Sequence, residues 1–276
     1  MRKKILVPTD FSEKAYYAAQ YACQIALKND FDIHLFHCYT TSTAISTDDS
    51  DIPKGDLLME ELKKKLIQEY PGVVIESKCV SRLLIDVIPE YAVAPQFEFI
   101  VIGTTGANHG RPVIWGSNTA FVTNNVSIPV LAIPSQNEFR TSKVAILTNF
   151  KAEELESLNN FTKLCGPIEK LDIIHIYKDA VKAKDIHNDL EDWAFNIKQL
   201  SDIHEVNIIA ERTHTDNQEL DTVPEVINQI ITDNDYDMVI VTKTRKSFFN
   251  RLINGSVSRK IVLTLQKPTF FDNIKK

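Results

Sequence analysis

The fold of this chain is decided by the stretch from Phe97 to Ser117, which reads FEFIVIGTTGANHGRPVIWGS. The apolar run at its start, Phe97–Ile102, is typical of a buried strand. Glycines and a serine follow with the spacing G-x2-G-x9-G-S, at Gly103, Gly106, Gly116 and Ser117. Glycine allows unusual φ angles and a close approach of the backbone, so such a loop before a helix can present bare N–H groups to an anion. The stretch predicts an α/β sheet with an anion site at its edge.

The chain contains an internal repeat with a displacement of 139 residues. Four pairs of segments share this displacement: Ile5–Phe11 with Val144–Phe150, Phe97–Ile102 with Tyr236–Val241, Gly116-Ser117 with Gly255-Ser256, and Pro129 with Pro268. Several anchors with one displacement indicate a duplicated structural unit. We therefore expect two domains, residues 1–137 and 141–276, joined by the short polar segment Asn137–Ser142.

Each half of the chain is predicted to alternate strands and helices. In the first half, strands are expected at Lys3–Pro8, Ile33–Tyr39, Val73–Val80, Phe97–Ile102 and Pro129–Ile133. The other elements of this half are helices after Ser12, at Glu60–Tyr70, at Leu83–Ala94 and after Gly116, with a loop at Thr40–Lys54. In the second half, strands are expected at Val144–Leu147, Leu171–Tyr177, Glu205–Ala210, Tyr236–Val241 and after Pro268, and helices at Glu153–Cys165, Asp185–Leu200, Pro224–Thr232 and after Gly255.

Strands rich in Val, Ile and Leu that alternate with helices favour a mostly parallel sheet covered on both faces. In such sheets, ligands bind at the carboxyl ends of the strands, where the strand order reverses. Asp10 follows the first strand of the first half, and Gly103 follows its fourth. We assume the strand order 3-2-1-4-5, which would bring these two residues together at one edge of the sheet.

Composition argues against several classes of protein. The hydrophobic fraction of 43% and the charged fraction of 25% are those of a soluble globular protein. The net charge of −6 offers no basic face for nucleic acid. The N-terminal apolar run is too short for a signal peptide and no stretch approaches a membrane span, so we expect a cytoplasmic protein. The four cysteines are far apart and form no CxxC pair, which favours buried free thiols over a metal or redox site.

Three features of the first half would converge on one ligand. The carboxylate of Asp10 could accept a hydrogen bond from an exocyclic amine such as adenine N6. The N–H groups around Gly106 and before Gly116 could hold phosphate oxygens, while Ser117 and Thr119 would add hydroxyls at a helix N-terminus. Each feature also has a structural alternative, in which Asp10 caps a helix, the glycines form ordinary turns and Ser117 is a simple N-cap.

Four segments resemble the universal stress protein family: VPTDFSEKA at Val7–Ala15, VIGTTG at Val101–Gly106, GSNTA at Gly116–Ala120 and IPVLAIP at Ile128–Pro134. With the repeat, nearly the whole chain resembles a tandem member of that family. The resemblance implies an α/β fold of two tandem, doubly wound, five-stranded parallel-sheet domains, like that of the adenine nucleotide alpha hydrolases, with strand order 3-2-1-4-5. It also implies ATP as the ligand, with or without Mg²⁺, and a regulatory role in stress adaptation.

By matching positions, the resemblance implies a nucleotide site in the first half made of Pro8, Thr9, Asp10, Cys38, Ile102, Gly103, Thr105, Gly106, Gly116, Ser117, Asn118 and Thr119. Asn118 departs from the small apolar residue that is usual after the Gly-Ser pair. The resemblance further implies that such domains pair through their final strands. The two halves could make that contact within one chain, and homodimerisation of the chain is left open.

The second half is predicted to have lost the site. At the displacement of 139, the second half has Leu147 in place of Pro8, Asn149 in place of Asp10, Thr242 in place of Gly103 and Arg245 in place of Gly106. Side chains in place of the two glycines would block the approach of phosphate to the backbone, so we expect one nucleotide per chain. The loop also becomes basic, which indicates either a site for a different anion or a solvated loop with Lys243, Arg245, Lys246 and Arg251.

The sequence lacks the common catalytic motifs, including Walker A, G-x-G-x-x-G, H-E-x-x-H and G-x-S-x-G. His34 and His37 lie three apart on one predicted strand, so they should face opposite sides of the sheet. We expect a protein that is not an enzyme, with slow ATP hydrolysis left open. Two functions remain: an ATP-responsive regulatory protein with an unknown protein partner, or a nucleotide-free interaction protein whose glycine loop is a structural remnant.

Overall fold

The computed structural model describes residues 2–39, 51–104, 117–178, 183–213, 223–243 and 267–274. The chain forms two compact units that divide between Phe139 and Arg140, here called unit 1 and unit 2 in chain order. Several predictions lie outside the described residues: the site residues Thr105, Gly106 and Gly116, the loop residues 40–50, the helix after Gly255, and the basic residues Arg245, Lys246 and Arg251.

The described residues of unit 1 alternate five strands with four helices. Its strands are β1 (Lys4–Pro8), β2 (Asp32–Tyr39), β3 (Ile75–Ser81), β4 (Phe99–Gly103) and β5 (Val130–Ile133). Its helices are α1 (Glu13–Asn29), α2 (Asp51–Glu69), α3 (Leu84–Tyr91) and α4 (Ser117–Asn125). All neighbouring strands are parallel, in the order β3-β2-β1-β4-β5.

Unit 2 repeats this architecture in its described residues. Its strands are β6 (Lys143–Leu147), β7 (Lys170–Tyr177), β8 (Glu205–Arg212), β9 (Met238–Lys243) and β10 (Thr269–Asn273). Its described helices are α5 (Glu153–Cys165), α6 (Ala183–Leu200) and α7 (Val223–Asp233). The strands are again parallel, in the order β10-β9-β6-β7-β8. The predicted α/β class and the strand order 3-2-1-4-5 are therefore confirmed in both units.

Small residues allow α1 to lie close to the sheet of unit 1. The helix is capped by Ser12, whose hydroxyl accepts a hydrogen bond from the Ala15 N–H at 3.3 Å. Its buried face consists largely of alanine, at Ala15, Ala18, Ala19, Ala22 and Ala26. Because alanine side chains are short, the helix backbone itself can approach the strands beneath it.

The start of α2 differs from the prediction. The sequence predicts a loop at Thr40–Lys54 and a helix at Glu60–Tyr70, whereas α2 begins at Asp51. Pro53 falls in the first helical turn, where the N–H that proline lacks has no intrahelical partner. Leu57 and Leu58 are exposed, so the apolar period that marks a helix is weak in this part of the sequence.

The two histidines of β2 face opposite sides of the sheet, as predicted. His34 Nε2 and the hydroxyl of Tyr91, on α3, share a hydrogen bond of 2.9 Å. His37 Nδ1 instead bonds to the Thr9 carbonyl at 2.8 Å, on the face that α1 and α2 cover. A spacing of three residues on a strand therefore separates the two rings.

The four cysteines, Cys23, Cys38, Cys79 and Cys165, are free thiols. Cys23 and Cys165 are buried as expected, but Cys38 and Cys79 are only partly buried because they lie near the ends of their strands. In the described part of the chain, no helix combines the length and the apolar character needed to cross a bilayer.

Candidate functional site

The turn after β1 is held by three hydrogen bonds to one buried residue, Thr9. Its N–H donates to the Phe36 carbonyl at 2.9 Å, its carbonyl accepts from His37 Nδ1 at 2.8 Å, and its hydroxyl accepts from the Phe11 N–H at 3.1 Å. Phe11 has a φ of 62°, in the left-handed region that residues with a side chain seldom adopt. These contacts fix the backbone on both sides of Asp10.

Asp10 lies exposed at the carboxyl edge of the sheet. Its Oδ1 accepts a hydrogen bond from the Ser12 N–H at 3.0 Å, which orients the carboxylate. Ser12, and not Asp10, caps α1, so the capping alternative for Asp10 does not hold. Within the described residues, neither the second carboxylate oxygen nor the N–H of Asp10 has a hydrogen-bond partner. Asp10 can therefore offer a ligand an acceptor and a donor from the same place.

Gly103 ends β4 and touches α1 at the place where a side chain would stand. A Cβ built on Gly103 would lie 2.5 Å from the Lys14 carbonyl oxygen and 2.7 Å from the Lys14 carbonyl carbon. Both atoms belong to backbone, so no side chain fits unless the helix moves. The close packing of α1 on β4 thus requires this glycine, a role that the glycine pattern does not predict.

The start of α4 has two exposed residues followed by a buried one. Ser117 and Asn118 are exposed. Thr119 is buried, and its hydroxyl donates to the Gly103 carbonyl at 2.9 Å. This bond connects α4 to the end of β4. Because the Thr119 hydroxyl donates its proton to the Gly103 carbonyl, it has no proton left to donate to a ligand. A role for Thr119 in nucleotide binding stays a prediction.

The remaining described residues of the predicted site lie at the same edge of the sheet. Because β1 pairs in parallel with both β2 and β4, Pro8, Cys38 and Ile102 lie near the carboxyl ends of three adjacent strands. Pro8 and Ile102 are buried, while Cys38 is partly exposed. Burial raises the pKa of the Cys38 thiol to about 11 despite the opposing charge of Arg82, so the thiol is neutral at pH 7.

Unit 2 builds the same turn after β6. The Thr148 N–H donates to the Ile174 carbonyl at 2.9 Å, its carbonyl accepts from His175 Nδ1 at 2.9 Å, and its hydroxyl accepts from the Phe150 N–H at 3.0 Å. Phe150 has a φ of 60°. Burial lowers the pKa of His175, which keeps the ring neutral at pH 7. The repeat in the sequence thus reproduces the three hydrogen bonds of the threonine in this turn.

Glu154, which is not among the residues predicted from the sequence, fills the turn of unit 2 with its carboxylate. Its Oε1 accepts from the Asn149 N–H at 2.8 Å, and its Oε2 accepts from the Thr148 hydroxyl. The side chain is 3% exposed, and burial raises its pKa even though these two hydrogen bonds act in the opposite direction. At the displacement of 139, Glu154 replaces Ala15. A charged residue at an alanine position on a buried helix face was the signal available in the sequence.

Thr242 takes the place of Gly103 in unit 2 and is buried. In the part of unit 2 that the structure describes, its hydroxyl has no hydrogen-bond partner. Nearby, burial lowers the pKa of Lys243 to about 8 and raises that of Asp272, which accepts from Asn160 Nδ2 at 2.8 Å. Because a Cβ at this place would collide with α1 in unit 1, α5 of unit 2 cannot follow the same close path to the sheet.

Comparison with known proteins matches both halves of the chain to one family. The model of the universal stress protein family matches residues 1–134 and 169–271. A curated universal stress protein of Methanocaldococcus jannaschii is 31% identical over 139 residues, which are 48% of this chain and 81% of that protein.

Solved structures share the fold over 98% of this chain, and two of them come from different organisms. One is a universal stress protein of Archaeoglobus fulgidus, with 19% sequence identity, a TM-score of 0.69 and 98% of its own chain covered. The other comes from Pseudomonas aeruginosa, with 16% identity, a TM-score of 0.61 and 93% of its chain covered. At these identities the similarity establishes the fold alone.

Proposed function

This chain belongs to the universal stress protein family, and on that premise we propose that it is a regulatory protein that binds one ATP molecule, in unit 1. The proposal depends on the turn at Asp10, where a carboxylate oxygen and a backbone N–H have no partner among the described residues. In unit 2, Glu154 occupies the same turn. A ligand that uses this turn can therefore bind unit 1 and not unit 2.

The Asp10 carboxylate would favour an adenine base. A carboxylate only accepts hydrogen bonds, and the exocyclic amine of adenine donates them. Guanine carries a carbonyl oxygen at the equivalent ring position, which would face the carboxylate with the same sign of charge. Because the Ser12 N–H holds Oδ1 at 3.0 Å, the side chain cannot turn away without losing that bond. We therefore expect ATP to bind more tightly than GTP.

The phosphates would lie along the connection between β4 and α4. Ser117 and Asn118 are exposed at the N-terminus of a nine-residue helix, where unpaired N–H groups and the helix dipole favour an anion. The proposed site also includes Thr105, Gly106 and Gly116, whose backbone would approach the phosphate oxygens. The proposal holds for ATP with or without Mg²⁺.

In this proposal, the domains at residues 1–137 and 141–276 have different tasks. The first binds ATP, and the second keeps the fold without the site. ATP at Asp10 would change the charge and the shape of the carboxyl edge of unit 1. A protein partner that senses this edge would then bind the two states with different affinity, which is the physical content of a regulatory role.

A nucleotide-free interaction protein is the second candidate function. Packing alone explains two residues of the predicted site, because Gly103 is required by the Lys14 backbone and Thr119 bonds to the Gly103 carbonyl. On this alternative, the pattern would persist because of the fold and not because of a ligand. ATP binding separates the two candidates.

Isothermal titration of the full chain with ATP and with GTP tests the proposal. We expect one ATP per chain and weaker binding of GTP. Asp10→Ala should weaken ATP binding about 10- to 100-fold, the range for loss of a hydrogen bond to a charged group. Asn149→Ala is the matched control in unit 2 and should bind ATP like the wild type. The absence of binding at millimolar ATP would reject the proposal, and two ATP per chain would reject the single site.

A further inference from the structure

His37 holds the turn of unit 1 from the neighbouring strand. Its Nδ1 lies 2.8 Å from the Thr9 carbonyl oxygen. A carbonyl oxygen can only accept a hydrogen bond, so Nδ1 carries the proton and donates it, and in the neutral ring Nε2 is left as an acceptor. The hydrogen bond therefore fixes the tautomer of the ring as well as its direction.

The His37 ring is packed on several sides. The centroid of the Phe11 ring lies 4.4 Å from that of His37, and the centroid of the Tyr39 ring lies 6.1 Å away. A Cβ built on Gly55, in α2, would lie 3.6 Å from His37 Cδ2, so the backbone of that helix covers this edge of the ring. With these neighbours the imidazole is a rigid donor aimed at Thr9.

Thr9 passes this constraint on to Asp10. The left-handed conformation of Phe11 costs about 1 to 2 kcal/mol for a residue with a side chain, so other contacts must hold the turn. Those contacts are the bonds that Thr9 makes to β2 on one side and to the Phe11 N–H on the other. Asp10 stands between these two fixed residues.

We propose that His37 is a positioning residue for the nucleotide site. By holding the Thr9 carbonyl, it sets the place of the Asp10 carboxylate that receives the base. The inference rests on the proposed function of unit 1. His37 itself need not touch the ligand, because a small displacement of the carboxylate is enough to weaken a directed hydrogen bond.

Unit 2 supplies a matched control for this role. His175 makes the same bond to the Thr148 carbonyl, at 2.9 Å, and its ring centroid lies 4.7 Å from that of Phe150. Because Glu154 fills that turn, the loss of His175 should affect the fold of unit 2 but not ATP binding. Parallel substitutions of the two histidines therefore separate positioning from general destabilisation.

The test is ATP titration of the full chain as wild type, His37→Leu, His37→Asn and His175→Leu, with thermal unfolding followed in parallel. We expect His37→Leu to weaken ATP binding about tenfold, the loss expected from one hydrogen bond of ordinary net strength. The amide Nδ2 of asparagine can donate from the place of the ring Nδ1, so His37→Asn should recover most of the affinity. His175→Leu should bind ATP like the wild type.

Wild-type affinity in His37→Leu would overturn the role of His37 and leave the proposed function standing. An equal loss of affinity in His175→Leu, or no recovery in His37→Asn, would also overturn it, because a general effect on the fold would then explain the loss. The absence of ATP binding by the wild type would overturn both proposals. If His37→Leu does not fold, His37→Gln replaces it, since its amide extends past the Nδ1 position and should bind ATP more weakly than His37→Asn.

Discussion

Unit 1 and unit 2 each contain the same kind of turn after their first strand, but they differ in the helix residue that lies next to it. In each, a buried threonine makes the same three hydrogen bonds and is followed by a phenylalanine of positive φ. The helix residue next to the turn is Ala15 in unit 1 and Glu154 in unit 2, where its carboxylate binds the Asn149 N–H and the Thr148 hydroxyl. The Asp10 N–H of unit 1 has no hydrogen-bond partner among the described residues, whereas the corresponding Asn149 N–H of unit 2 donates to Glu154. One side chain thus satisfies the polar groups of this turn in unit 2 without a change of fold.

The largest expected effect is the loss of stability in Gly103→Ala. This variant tests whether α1 packs against β4 in unit 1 only when glycine stands at this position. The new Cβ would lie 2.5 Å from the Lys14 carbonyl oxygen, so unit 1 should lose about 3 kcal/mol of stability. Hydrogen exchange of the full chain, resolved by peptide, would read each unit separately. Thr242→Ala is the matched control in unit 2, where a Cβ is already accommodated, and should cost about 1 kcal/mol or less. Unchanged exchange in unit 1 would contradict the packing role of this glycine.

Ala15→Glu places in unit 1 the residue that unit 2 has at the corresponding position, Glu154. Its carboxylate should reach the Asp10 N–H and the Thr9 hydroxyl, as Glu154 does in unit 2, and weaken ATP binding about a hundredfold. Isothermal titration measures the loss. Ala15→Met, of similar length without a charge, should lose less. Equal losses in the two variants would attribute the effect to volume and not to the carboxylate.

Glu154→Ala removes the same carboxylate from unit 2. It leaves the Asn149 N–H and the Thr148 hydroxyl without their partner, which should destabilise unit 2 by about 2 kcal/mol in denaturant unfolding or peptide-resolved exchange. Glu154→Gln keeps an acceptor and should lose less. Neither variant should bind a second ATP, because Thr242 still occupies the place of Gly103. A stoichiometry of two would show that Glu154 alone closes the site.

Thr242→Val should stabilise unit 2 by about 1 kcal/mol. The two side chains have similar volume, and the substitution removes a buried hydroxyl that has no hydrogen bond within the described residues. Hydrogen exchange of the backbone amides of β9 and α5 should become slower and so measure the gain in stability. A loss of stability would mean that the hydroxyl has a partner outside those residues.

The smallest effect concerns pH. Burial raises the pKa values of Glu154 and Asp272 above their ordinary 4.5 and 3.8. A raised carboxyl pKa contributes stability that is fully present below the unfolded pKa and is lost as pH rises through the folded pKa. Unit 2 should therefore lose stability over that window, whereas unit 1 has Ala15 and Ile133 at the corresponding places. Denaturant unfolding at a series of pH values measures this, and Glu154→Gln should flatten part of the slope.

Much of the fold could be predicted because its signals are local. The alternation of apolar strands with amphipathic helices is written in short windows, and α5 was predicted at its observed bounds, Glu153–Cys165. The start of α2 escaped because Pro53 and Gly55 look like helix breakers in isolation. Whether a proline stands in a first turn or in a helix interior depends on where the helix begins, which the local sequence does not state.

The candidate site was harder to predict because its contacts join distant parts of the chain. The glycine pattern singled out Gly103 as a residue that binds a ligand, and its role there stays a prediction. Its contact with Lys14 depends on how closely α1 packs against β4. The exchange of Ala15 for Glu154 was visible at the displacement of 139. Only the structure shows that the Glu154 oxygens reach the Asn149 N–H and the Thr148 hydroxyl.

The carboxylate of Glu154 also bears on how such a duplication can evolve. Removing it alone leaves the Asn149 N–H and the Thr148 hydroxyl without their hydrogen-bond partner. Replacing Thr242 alone by glycine leaves a cavity in the core. If unit 1 binds ATP as proposed, each single substitution that makes unit 2 more like unit 1 lowers the stability of unit 2 before any nucleotide can bind and compensate. Restoring the open turn in unit 2 should therefore require at least two substitutions together, at Glu154 and at Thr242.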